Sequence, residues 1–202
     1  GVLMPPDGFL RELSALCREQ RVLLMADEIQ TGLGRTGRMF ACDHEQVTPD
    51  VYILGKALSG GFYPVSAVVS SREVLGVFGP GSHGSTFGGN PLGCAVARTA
   101  LHVLQDEQLV ERSAELGAWF LEQVRSLQHP AIVAVRGRGL MVAIELNEAA
   151  RPWCEALKER GMLCKETHDH VIRLSPPLVV SQEDLAWAVD QLRAVVALRS
   201  TR

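Results

Sequence analysis

Two short apolar runs, residues 22–26 and 51–54, constrain this chain most, because each is continuous, brief and followed at once by polar chemistry. Runs of this length with no polar alternation suit strands covered on both faces. The first delivers Asp27 and Glu28, with Gln30 just beyond; the second delivers Gly55, Lys56 and then the Gly60, Gly61 pair. A third run, 65–69, follows Pro64. Before the first run, Phe9, Leu13, Leu16 and Cys17 recur at helical spacing, and Pro5, Pro6 and Asp7 read as a helix start with Asp7 as its cap. Alternating helical and extended segments predict an α/β architecture with a mostly parallel sheet. Ligands of such sheets gather at the carboxyl ends of the strands, where Asp27, Gln30 and Lys56 stand.

Further along, residues 79–93 carry six glycines and two prolines and read as an elaborate loop. Helical pattern follows from about 92 to 127, broken near Asp106 and Glu107. Then the grammar changes. Strands are expected at 132–135 and 140–146, separated by Arg136, Gly137, Arg138 and Gly139; a short helix at 152–160, closed by Gly161; a strand pair at 162–165 and 170–174; and a last helix capped by Ser181. The expected division is a partial large domain over 1–105, a linking helical segment over 106–129 and a small α+β domain over 130–202.

Composition narrows the partners. A net charge of −3 with no basic block argues against nucleic acid. No apolar run approaches the ~18 residues of a membrane span, and the start has no signal-peptide pattern. Five cysteines without C-x-x-C spacing suggest free thiols in a reducing, cytoplasmic setting rather than disulfides or zinc.

Several candidates carry chemistry, each with a plainer alternative. Residues 32–37 fit G-x-G-x-x-G, yet no helical face follows, so an ordinary glycine loop is favoured over a dinucleotide site. His168, Asp169 and His170 read as solvated turn residues, and no metal is expected. Ser85 and Thr86 in the glycine loop suit a phosphate, or are simply surface hydroxyls. Arg173, inside an apolar strand, is either a solvated edge residue or a fork for a carboxylate. Asp27 and Lys56 are a possible salt bridge. They are also the acid and the lysine that pyridoxal phosphate requires, with Ser85 and Thr86 as its phosphate cradle.

Read together, A-D-E-I-Q-T-G-L-G-R-T-G, L-G-K-A-L-S-G-G-F-Y-P-V-S-A-V, H-G-S-T-F-G-G-N-P-L-G, R-G-R-G-L and C-K-E-T-H-D-H-V-I-R-L-S-P-P-L resemble the class III, fold-type I aminotransferases. The resemblance covers essentially the whole chain, and the wording is nearest the members that act on ornithine. It implies that Lys56 bonds the aldehyde of pyridoxal 5'-phosphate and moves the proton, that Asp27 pairs with the ring nitrogen, and that Gln30 contacts the ring hydroxyl. It further implies that Thr86 binds the phosphate of the neighbouring subunit, with Ser85 beside phosphate or substrate, hence a homodimer with shared sites. Arg173 would hold the carboxylate of glutamate or 2-oxoglutarate and pair with an upstream glutamate.

The implied reaction moves the δ-amino group of ornithine to a 2-oxo acid, giving glutamate 5-semialdehyde and an amino acid. Acetylornithine and 4-aminobutyrate transaminases are the nearest alternatives, and a nicotinamide oxidoreductase using residues 32–37 a remoter one. In the resembled family roughly half of the polypeptide would precede Gly1, so this chain alone is expected to be inactive.

Overall fold

Strand β2 (Val51–Leu54) forms over the run expected for it and is the middle of a three-stranded sheet in this computed structural model, which describes residues 1–200. Strand β1 (Met25–Asp27) lies parallel to it, with Asp27 opposite Ile53. Strand β3 (Ala67–Ser70) lies antiparallel on the other side, with Leu54 opposite Ala67. The sheet is therefore mixed rather than mostly parallel. Only a 3₁₀ turn, Lys56–Ser59, interrupts the connection between β2 and β3. A return in the parallel sense needs a longer crossover, commonly a helix.

Strand β1 is also shorter than its apolar run and is not buried on both faces. It is the edge strand, and Val22, Leu23 and Met25 are exposed, Met25 by 64%. Helix α1 (Phe9–Glu19) starts as expected, but Asp7 is not its cap residue. Gly8 takes that position, and the buried Glu45 accepts from the free amides of Gly8 and Arg11 at 3.1 Å each. A carboxylate at a helix start neutralises amides that have no partner within the helix. Helix α2 is the short Arg72–Leu75. Helix α3 (Pro91–Asp106) is capped by Asn90, whose side-chain oxygen accepts from Gly93 N–H at 2.8 Å. Leu33, Leu54 and Leu58 form the core here, with Phe40, Tyr52 and Leu101 packed on them.

The chain divides into two compact units, Pro5–Val110 and a second made of Gly1–Met4 with Glu111–Arg202. Most of the segment expected to link domains is helix α4 (Leu109–Arg125), which gives Phe120 and Val124 to the core of the second unit. That unit holds an antiparallel sheet ordered β4-β5-β7-β6, from β4 (Ile132–Arg138), β5 (Met141–Leu146), β6 (Lys165–Thr167) and β7 (Val171–Leu174). Helices α5 (Arg151–Glu159) and α6 (Gln182–Ser200) complete it. The tract 136–139, expected as a loop, is mostly strand; the turn is at Gly139 and Leu140, with Gly139 at φ +53. Ser181 caps α6 as expected, accepting from Asp184 N–H at 2.9 Å. Thr201 and Arg202, the end of the expected small domain, lie outside the described residues.

This second sheet has two unlike faces. Val142, Ile144, Ile172 and Leu174 face the helices and pack with Phe120, Leu157, Leu185 and Val189. Each such fully buried side chain contributes roughly 1.5–3 kcal/mol. The other face carries Arg136, Glu145, Arg173 and Lys165. Among the described residues no helix is long and apolar enough to cross a membrane.

Candidate active site

Because β1 and β2 are parallel, their carboxyl ends open on the same side, and Asp27 and Lys56 leave the sheet together there. Asp27 is exposed, and one of its oxygens accepts from Ile29 N–H at 3.1 Å, turning the chain away from the strand. The buried carboxylate is its neighbour. Glu28 is 3% exposed and accepts from Cys42 N–H at 3.0 Å and from the Thr31 hydroxyl. Glu28 is enclosed and Asp27 is not, because successive side chains at a strand end point to opposite faces. Burial, and secondarily the Glu28 charge, push the Cys42 thiol up to about 12. Gln30 is exposed in the turn beyond, which Gly32 N–H closes onto the Glu28 carbonyl at 2.9 Å.

Lys56 begins the 3₁₀ turn in the left-handed region, φ +43, which L side chains seldom adopt. Backbone strain of this kind persists where surrounding structure imposes it, often at functional positions. Lys56 is exposed, and among the described residues its amine has no hydrogen bond or ion pair. Asp27 and Lys56 therefore do not form the plain salt bridge that was the simpler alternative.

A cavity of about 780 Å³ opens beside Lys56, lined in part by Ser59, Tyr63, Ser66, Phe87 and Asn90. Tyr63, Ser66 and Asn90 were not singled out from the sequence; only the Asn90 cap before Pro91 left a readable signal there. Asp27, Gln30, Ser85 and Thr86 are not among the lining residues, although the loop that bears the last two continues into it through Phe87. The Ser85 oxygen accepts from Gly88 N–H at 2.9 Å, and a Cβ at Gly88 would stand 2.8 Å from the Ser85 side chain. Thr86 is exposed, with a hydroxyl that has no partner among the described residues.

The tract 32–37 does not behave as a dinucleotide loop. No α-helix opens from its glycines; a 3₁₀ turn, Ala41–Glu45, follows, and Leu33 is packed into the core. His168 and Asp169 are left-handed turn residues, φ +51 and +59, between β6 and β7. Arg173, in the second unit, is half-buried on the charged face of its sheet and has no ion pair or hydrogen-bonded side-chain partner among the described residues. A guanidinium can pair with a carboxylate through two parallel hydrogen bonds.

An exposed lysine thus stands in a left-handed turn at strand ends, beside a cavity that the glycine loop enters, in an α/β protein. The class-III aminotransferase family model matches residues 1–196, and the chain belongs to that family. Ornithine aminotransferase of Bacillus subtilis (strain 168) is 60% identical over 196 residues, 97% of this chain and 49% of that protein. The ornithine aminotransferase structure from Toxoplasma gondii ME49 superposes with a TM-score of 0.97 at 45% identity, covering 100% of this chain and 50% of that one. An acetylornithine aminotransferase from Elizabethkingia anophelis gives 0.94 at 50% identity, covering 98% and 51%. The chain thus spans about half the length of the relatives it matches.

Proposed function

We propose that this chain is the lysine-bearing part of a pyridoxal-phosphate ornithine aminotransferase that uses a 2-oxo acid as amino acceptor and works as a homodimer. The observation that carries the reading is Lys56: exposed, unpaired among the described residues, strained, and at the rim of a cavity of about 780 Å³. The residues fit the cofactor. An exposed Asp27 carboxylate with one oxygen uncommitted suits a ring nitrogen that must stay protonated. In this reading Gln30 contacts the ring hydroxyl, and the Thr86 hydroxyl, without a partner among the described residues, binds a phosphate presented by a second subunit, with Ser85 beside phosphate or substrate.

Bound pyridoxal phosphate supplies an electron sink for a carbanion. The remaining work falls to this chain. Lys56 would hold the cofactor's aldehyde and, as a neutral amine, would carry one proton. Asp27 would hold the ring nitrogen in its protonated form. Arg173 grips the carboxylate of the 2-oxo acid. The apolar surface exposed on β1 and β3, including Met25, Val68 and Val69, supports the view that the working enzyme covers this sheet with more polypeptide.

The 50% identity to an acetylornithine aminotransferase supports a second donor, N-acetylornithine. Reduction of the full-length protein carrying this sequence with borohydride in the presence of cofactor tests the first point: the adduct is expected on Lys56, and a label elsewhere overturns the reading. Lys56→Ala is expected to abolish turnover with an unchanged fold, because its amine holds nothing. Turnover of ornithine well above N-acetylornithine is expected; the reverse order refutes the donor assignment.

A further inference from the structure

On the charged face of the second sheet, residues Gly1 and Val2 form a strap tied to strands on either side of the one that carries Arg173. By register, Arg136, Ala143, Arg173 and Lys165 form one row across β4, β5, β7 and β6. The adjoining row is Ala134, Glu145, Val171 and Thr167. Residues in a row project to the same face, and Arg136 stands two strands, roughly 10 Å, from Arg173. The two arginines are in opposite states. Arg136 spends its whole fork: Nη1 on the Glu145 carboxylate, Nε on the Val2 carbonyl at 2.7 Å, and Nη2 on the Gly1 carbonyl at 3.0 Å. Arg173 has no hydrogen-bonded or ionic side-chain partner among the described residues.

The same strap also touches the far strand. A Cβ on Gly1 would lie 2.3 Å from Cγ2 of Thr167 on β6, so the backbone of Gly1 rests directly on that side chain. This strap is held by Arg136 of β4 and touches Thr167 of β6, the two strands that flank β5 and β7. Ala143 and Val171, on this face and outside the helix-packed core, are 0% and 4% exposed. Arg173 stands in the row of the first and two residues from the second.

We infer that Arg136 is a positioning residue for the substrate-carboxylate site at Arg173, because its guanidinium fixes Gly1–Met4 as the wall beside that site. Glu145 neutralises Arg136, so this second cation does not compete with Arg173 for the incoming anion. A lysine there could not serve a carboxylate and two divergent carbonyls at once, since an ammonium lacks the planar fork. The inference rests on the reading of Arg173 as the grip for the 2-oxo acid.

The test compares Arg136→Gln, Arg136→Lys and wild type in the full-length protein. Arg136→Gln is expected to raise KM for 2-oxoglutarate roughly tenfold while the ornithine half-reaction stays within about twofold, the split that marks lost binding rather than lost chemistry. Arg136→Lys should fall between. Amide hydrogen exchange of the peptide containing Val2 and Leu3 should quicken in both variants. An unchanged KM, or equal losses in both half-reactions, overturns the inference. If Arg136→Gln does not fold, Gly1→Ala keeps the clamp but lifts the strap off Thr167 and must produce the same KM rise, or the inference fails. Absence of a borohydride adduct on Lys56 in wild type would instead mark failure of the transaminase reading.

Discussion

Gly117→Ala is the sharpest test of how the second unit is held together. Gly117 sits inside α4, where alanine normally stabilises a helix by about 1 kcal/mol relative to glycine. Here a Cβ would meet the carbonyl carbon of Gly139 at 2.2 Å, its oxygen at 2.3 Å and its α-carbon at 2.5 Å. Carbon atoms in contact sit near 3.5–4.0 Å, so helix and turn must part by more than an ångström. The obstacle is backbone and cannot rotate away. The Ser113 hydroxyl oxygen, a turn earlier in α4, accepts from Leu140 N–H at 3.3 Å, and parting would break that bond. Overpacking of this kind costs typically 1–3 kcal/mol and here should exceed the gain in helix propensity. A net loss of up to about 2 kcal/mol lowers Tm by roughly 4–8 °C per kcal/mol in a unit of this size. Thermal unfolding followed by circular dichroism gives the shift, with Gly79→Ala as control, because a Cβ at Gly79 meets nothing within 4 Å. A Tm for Gly117→Ala equal to or above wild type refutes the close approach of α4 to the β4–β5 turn.

Two further outcomes follow from buried groups of the first unit. Glu45→Ala removes the acceptor for two helix-start amides and should destabilise by roughly 1–3 kcal/mol in chemical denaturation, with Glu45→Gln costing less; an unchanged midpoint refutes the capping role. The Cys42 thiol, raised from 9.0 to about 12, should resist alkylation at pH 8.5 in the native state, whereas exposed Cys94 reacts; mass spectrometry of the modified peptides decides, and equal labelling sinks the assignment. The sign of its linkage is set by the raised folded value. Below pH 9 both states keep the proton and stability is unaffected. From about 9 to about 12 only the unfolded thiol ionises, so stability falls, by at most about 1.4 kcal/mol per pH unit for this one group.

Local order in the sequence was enough for much of the fold. The apolar run at 51–54, the cap at Ser181 and the glycine that ends α5 each act through neighbours a few residues away, and each stands where the pattern put it. The placement of Asp27 and Lys56 at strand ends was legible for the same reason, since a strand ends where its apolar run does. Burial was not. Asp27 and Glu28 are adjacent and chemically alike, and which one is enclosed depends on Cys42, fourteen positions on, folding back over one of them. Nor did the sequence show that, within these 202 residues, the run 22–26 is the outer strand of its sheet, because strand order is not written locally.

What the sequence by itself determined is the set of local elements and the lysine-and-carboxylate grammar of the site. Only the tertiary structure decided which charges are spent and which are free. Arg136 and Arg173 look equivalent as letters in apolar strands, yet one is held by Glu145 and by two carbonyls more than 130 positions away, while the other has no side-chain partner among the described residues. Hydrogen-bond partners so distant along the chain are fixed by register and strand order, and those exist only once the sheet has formed.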